Sequence, residues 1–89
     1  MSRLPPSPSD ADIAATIERL LAARRPGATI CPSDAARALA ADEEAWRALM
    51  PEVRRVAADL ARAGRMRVTR GGVAVDALAG RGPIRIGRA

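Results

Sequence analysis

The chain has 89 residues, of which 48% are hydrophobic and only 1% aromatic, so its core must be built from Ala, Leu, Ile, Val and Met. The sequence contains no histidine and one cysteine, which excludes an internal disulfide, the usual zinc ligand sets and histidine-dependent nucleophiles. Residues 1–45 hold five Arg against seven acidic residues, and residues 46–89 hold ten against three, giving net charges of −2 and +7. This asymmetry indicates an anionic partner for the C-terminal half.

These totals predict a single domain that is not an enzyme and that needs neither a cofactor nor a metal. We expect residues 1–8, which are rich in Pro and Ser, to form a disordered lead-in, and residues 9–89 to form the domain. The sequence has no recognisable secretory leader and no long apolar run, so we expect a cytoplasmic protein without a membrane partner.

The first predicted helix begins after Ser9, because Ser9 and Asp12 have the spacing of a capping box. The segment Arg24–Gly27 ends it. Between these limits, apolar residues recur at helical spacing at Ile13, Ile17, Leu20 and Leu21. Residues 28–30 include β-branched side chains, and we expect them to form a short strand that pairs with a later hairpin.

Two further helical regions follow. The run Cys-Pro-Ser at 31–33 predicts the start of a second helix, which ends near Ala41. Acidic residues favour a third helical start at 42–44, but Pro51 interrupts that region, and a proline inside a helix costs about 3 kcal/mol. We therefore expect a short helix at 43–49 and a main third helix at 51–63, with Gly64 just beyond its end.

The stretch RMRVTRGGVAVD, residues 65–76, predicts a β-hairpin, because apolar residues alternate on both sides of Gly71-Gly72. In this register Met66, Val68 and Val75 share a buried face, while Arg67 and Thr69 point the other way. A two-residue turn gives three opposed pairs, which are Arg70 with Val73, Val68 with Val75, and Met66 with Ala77.

The C-terminal segment RGPIRIG alternates again, with Ile84 and Ile86 on one side and Arg85 on the other, so it predicts a last short strand. The order of helix, short strand, helix, helix and hairpin is that of a winged helix-turn-helix. The predicted class is therefore mainly α with a small β-hairpin (α+β).

Three runs carry a resemblance that covers nearly the whole chain after about residue 9: ICPSDAARAL, WRALMPEVRRVAADLARAGRMRVTRGGVAVD and GPIRI. Together they resemble a small bacterial family that is catalogued only as a domain of unknown function. This resemblance implies a winged-helix fold. It implies no activity, and it assigns no functional role to any residue of this chain.

The candidate nucleic-acid contacts lie around the predicted third helix and on the hairpin, and they are Arg47, Arg54, Arg55, Arg62, Arg67 and Arg70, with Arg65 in the same basic set. We expect Arg54 and Arg55 to reach bases or phosphates of double-stranded DNA, and Arg67 and Arg70 to reach phosphates, since arginine suits both contacts. The alternative is a solvated basic face, because Glu52 and Asp59 lie among these arginines and repel phosphate.

A protein-interaction or homodimerisation module with the same fold is the rival hypothesis, since a fold does not fix a function. Small residues on the first helix, Ala14, Ala15 and Ala22, would let a second copy pack closely.

Two single residues have competing interpretations. Cys31 precedes a helix start, which favours a reactive thiol, but without a histidine base a packed or capping role is preferred. Trp46 could stack on a base, but its phase with Leu49 and Val53 favours the core or its edge.

Overall fold

Three helices and a three-stranded antiparallel sheet make up the chain in the computed structural model, which describes residues 8–80 and 82–89. Their bounds are α1 (Asp10–Ala22), α2 (Pro32–Leu39), α3 (Glu43–Arg62), β1 (Met66–Arg70), β2 (Val73–Ala74) and β3 (Arg85–Arg88). The predicted α+β class is confirmed, and the element order is compatible with a winged helix. The expected lead-in falls on residues 1–7, which lie outside the described residues, and on Pro8.

Side-chain caps start the helices where the sequence predicted them. The Ser9 Oγ accepts a hydrogen bond from the Asp12 amide at 3.0 Å, and the Asp12 carboxylate accepts one from the Ser9 amide at 3.0 Å. At the start of α2, the Asp34 carboxylate accepts a hydrogen bond from the Cys31 amide at 2.9 Å. These contacts satisfy amide donors that have no partner within a helix.

Helix α3 is continuous from Glu43 to Arg62, with Pro51 inside it, so the predicted division into helices at 43–49 and 51–63 is wrong. The proline removes one backbone hydrogen bond, but continuing the helix keeps its apolar side chains in one phase on both sides of Pro51. Those side chains contact the core: Trp46, Leu49, Met50, Val53, Val56, Ala57 and Leu60. Burial of this long stripe outweighs the local cost of the proline.

The end of α3 is a Schellman motif centred on Gly64. The Arg65 amide donates to the Leu60 carbonyl at 2.9 Å, and the Gly64 amide donates to the Ala61 carbonyl at 3.0 Å. Gly64 has φ of +74°, the left-handed conformation that this motif requires and that glycine adopts at little cost. The predicted helix stop is confirmed.

The sheet has the order β2-β1-β3, so the hairpin strand β1 lies between two partners. Arg70 lies opposite Val73 as predicted, but β2 ends at Ala74, so the β1–β2 register does not extend to the predicted pair of Met66 with Ala77. On the other edge of β1, Met66 pairs with Arg88 of β3. The short strand expected at 28–30 is a single bridge from Ile30 to Ile86 of β3, and it does not pair with the hairpin. The alternation of residues 84–86 predicted the last strand but not its partner, because strand pairing joins residues that are far apart in the chain.

One apolar core lies between the helices and the inner face of the sheet. Its fully buried side chains include Ile13 and Ile17 from α1, Val53 from α3 and Ile86 from β3. The core consists of Ile, Leu, Val, Ala and Met, as the composition predicted, and Trp46 is half-buried at its edge. Within residues 8–80 and 82–89, no helix has both the length and the apolar character needed to cross a membrane.

Candidate nucleic-acid interface

Arg55 of α3 is surrounded by carboxylates. Its guanidinium lies 2.6 Å from the Asp10 carboxylate, 2.8 Å from Glu52 and 3.7 Å from Asp59. The hydrogen bond from Arg55 lowers the pKa of Asp10 below its ordinary value, and the same bond, with that to Glu52, raises the pKa of Arg55. Arg55 therefore joins α3 to the start of α1.

Arg62 continues this cluster towards the loop after β2. Its guanidinium lies 3.4 Å from Asp59 and 3.5 Å from Asp76. The acidic cluster of α3, which we define as Asp10, Glu52, Asp59 and Asp76 around Arg55 and Arg62, has four carboxylates against two guanidinium groups. Its net formal charge of −2 opposes the approach of phosphate to this face.

Arg47 lies near the start of α3, where acidic residues are also present. It pairs with Glu43 at 3.3 Å, and its guanidinium lies 5.5 Å from the centre of the Trp46 ring. Arg37 of α2 also contacts this ring, at 4.5 Å. Trp46 therefore makes cation–π contacts that join α2 to α3, and stacking on a base would have to compete with them.

Arg54 lies in the middle of α3 and differs from Arg55, its neighbour in the chain. It is half-buried, and it forms no ion pair with any residue that the structure describes. Arg54 therefore keeps a positive charge that no described carboxylate neutralises.

Arg65, just before β1, and Arg70, at its end, have different surroundings. Arg65 pairs with Glu18 of α1. Arg70 packs against the loop that follows β2: its guanidinium donates to the Ala79 carbonyl at 3.3 Å, and its buried Nε has no hydrogen-bond partner in the described part of the chain. A phosphate contact by Arg70 would require it to leave this loop.

Arg67 is exposed on the outer face of the sheet, which faces away from the core. It lies opposite Gly87, and Thr69 lies opposite Arg85, so these four residues share the outer face of β1 and β3. A groove of about 340 Å³ opens beside them, lined by Gly27, Thr29, Arg67, Thr69, Gly87, Arg88 and Ala89. No Asp or Glu side chain is among the residues found to line this groove.

Arg85 fixes one wall of this groove. Its Nε donates to Thr29 Oγ1 at 2.8 Å, a second nitrogen donates to the Thr29 carbonyl at 3.0 Å, and a third contacts the sulfur of Cys31. Cys31 itself is half-buried at the start of α2. Arg88 reaches in another direction and donates to the Leu21 carbonyl at the end of α1 at 3.1 Å.

The structure thus separates the six predicted contacts. Arg55 and Arg62 belong to the acidic cluster of α3, Arg47 pairs with Glu43, and Arg70 packs against a loop. The groove beside Arg67 was not anticipated, because it forms only when β3 pairs with β1 and brings Gly87 opposite Arg67. Alternation had placed Arg85 outward, but nothing in the sequence specified its partner strand.

Residues 10–89 match the family described as Protein of unknown function (DUF3253), and the chain belongs to this family. The resemblance of the three sequence runs to a domain of unknown function is confirmed. A comparison with curated proteins gives no match. The family description assigns no activity.

Proposed function

We propose that the chain is a cytoplasmic winged helix-turn-helix module that binds double-stranded DNA and catalyses no reaction. The order of elements supports this proposal. Helices α2 and α3 are joined by residues 40–42, a turn of the length found in helix-turn-helix units, and the β1–β2 hairpin follows α3. In such folds the second helix of the unit enters the major groove and the hairpin reaches the backbone.

The observation that carries the proposal is the exposure of Arg67 on the first strand after α3, beside a groove with no acidic side chain found in its lining. Arg54 adds a second cation without a described ion pair. Phosphate neutralisation by such side chains supplies most of the sequence-independent affinity for DNA. The basic C-terminal half of the sequence is consistent with this role.

The acidic residues restrict how the DNA would lie. Asp42, Glu43 and Glu44 stand at the start of α3, and the acidic cluster occupies the face of α3 that carries Arg55. Phosphates would avoid both regions. The duplex would therefore meet α3 near Arg54 and the sheet near Arg67, and the arginines already paired with carboxylates would contribute less.

Fluorescence anisotropy with a labelled random duplex at low salt tests this proposal. We expect the native chain to bind, and we expect Arg54→Gln to weaken binding by removing a cation from the interface. The control is Arg19→Gln, which removes the same charge from an exposed position on α1. Equal effects of the two variants would contradict a contact by Arg54, and no binding by the native chain would overturn the function.

A protein-interaction module is the second candidate, and exposed apolar side chains favour it. Val73 and Leu78 are 65% and 54% exposed on β2 and the loop that follows it. Of the alanines expected to receive a second copy, Ala15 and Ala22 are exposed, but Ala14 is half-buried against the core. Sedimentation of the chain alone tests this candidate: a dimer dissociated by Val73→Ser, in a chain that binds no duplex, would support the interaction module.

A further inference from the structure

The groove on the outer face of the sheet combines one cation with two hydroxyl groups. Arg67 and Thr69 project from β1, and Thr29 comes from the segment before α2. No ion pair joins Arg67 to another described residue, so its charge is available to a ligand. This combination matches the needs of an anion that accepts several hydrogen bonds.

Gly87 provides the space in this groove. It lies directly opposite Arg67 in the β1–β3 register. A Cβ atom added at Gly87 would lie 3.1 Å from Cγ2 of Thr29, which is closer than ordinary van der Waals contact. A side chain at this position would therefore push against Thr29 and occupy the floor of the groove.

The Thr29 hydroxyl is oriented before any ligand arrives. Its Oγ1 accepts a hydrogen bond from Arg85 Nε at 2.8 Å, while Arg85 also donates to the Thr29 carbonyl. A hydroxyl that accepts through a lone pair keeps its own proton for donation. Arg85 is thus a positioning residue that also adds positive charge beside the groove.

We propose that this groove binds a phosphate group, with Arg67 as its cation and the hydroxyls of Thr29 and Thr69 as its hydrogen-bond donors. The inference rests on the proposed function for the source of the phosphate, which is the backbone of the DNA duplex. The sequence predicted that Arg67 and Arg70 both contact phosphates. In this groove Thr29 and Thr69, and not Arg70, bind the phosphate together with Arg67. Phosphate is favoured over a carboxylate ligand because three separate donors surround one space.

Inorganic pyrophosphate tests the groove without DNA. In ¹⁵N-labelled native chain at low salt, pyrophosphate should shift the amide resonances of Thr29, Thr69 and Gly87. Arg67→Gln should abolish these shifts, and Thr69→Val, which keeps the shape of the side chain, should weaken them. Arg19→Gln is the matched control and should leave them unchanged. An absence of shifts in the native chain, or equal shifts in Arg67→Gln, would overturn the site.

Duplex binding then tests the source of the phosphate. Arg67→Gln should reduce the slope of log K against log salt by about one, and Arg19→Gln should leave the slope unchanged. An unchanged slope in Arg67→Gln, despite pyrophosphate shifts, would overturn the assignment to the DNA backbone. If the native chain binds no duplex, the proposed function fails, while the pyrophosphate experiment still decides the groove. A glutamate-rich peptide that shifts the same amides as strongly would overturn the choice of phosphate.

Discussion

Arg55 lies between carboxylates from two helices, and this position determines what its charge is used for. Asp10 belongs to α1, whereas Glu52 and Asp59 belong to α3 itself. All of these side chains are partly exposed, so solvent screens their interaction and each pair contributes little to stability. Their larger effect is to occupy a guanidinium group that would otherwise be available to phosphate.

The Asp10–Arg55 pair makes the folding stability of the chain depend on pH in the acidic range. The folded chain holds the pKa of Asp10 below its ordinary value, so the unfolded chain takes up a proton first as the pH falls. The stability that the pair contributes is present above the ordinary pKa of an aspartate. It is lost as the pH falls through the pKa of Asp10 in the folded chain. Between about pH 5 and about pH 3, thermal unfolding should therefore show a larger loss of Tm for the native chain than for Asp10→Asn. Equal losses would contradict this role of the pair.

At Gly72 the backbone conformation determines how a substitution changes stability. Its φ is +81°, and no atom lies within 4 Å of an added Cβ, so a side chain would meet conformational strain and not a clash. Gly72→Val should lower the free energy of unfolding by at least about 1 kcal/mol. Ala74→Val, at an exposed position of β2, should have little effect, and chemical denaturation compares the two. Equal destabilisation would mean that strain at the turn is not the cause.

Part of this residue-scale detail could be predicted from the sequence. The spacing of Glu52, Arg55 and Asp59 places them on one helix face, and it predicts that the two acidic residues lie beside Arg55 and repel phosphate. The contacts to Asp10 and Asp76 could not be predicted, because Asp10 is 45 positions from Arg55 and Asp76 is 14 from Arg62. Such pairs depend on the packing of whole elements.

At the scale of elements, the helix caps and stops were predictable because their signals are local. Ser9 with Asp12, and Gly64 after α3, act through neighbouring backbone groups. The continuity of α3 through Pro51 was not predictable in this way. It depends on core contacts made on both sides of the proline, which a local cost does not include.

Pro51→Ala tests this explanation of α3. Alanine restores a backbone donor to the helix and removes a cost of about 3 kcal/mol, while the unfolded chain gains flexibility worth up to about 1 kcal/mol. Because Pro51 is exposed, the change removes little packing. Chemical denaturation should show a net stabilisation of about 2 kcal/mol. A loss of stability would mean that the proline itself shapes α3 in a way that the core requires.

Across the whole molecule, the position of β3 helps to determine which arginines are available to an anionic ligand. It lies beside β1 and brings Arg85 and Gly87 next to Thr69 and Arg67. The excess of arginine in the C-terminal half was clear from the sequence, but its division into paired and available side chains was not. That division depends on which carboxylates the fold brings near each guanidinium group.

We propose that Arg54 and Arg67, which form no ion pair with any described residue, contact the phosphates of a DNA duplex. The most direct measurement is the affinity of the native chain for a random duplex over a series of salt concentrations. Each neutralised phosphate contributes about −0.9 to the slope of log K against log salt, so contacts by Arg54 and Arg67 predict a slope of about −2 or steeper. The absence of binding at the lowest salt, or an affinity that does not change with salt, would show that Arg54 and Arg67 do not contact phosphates.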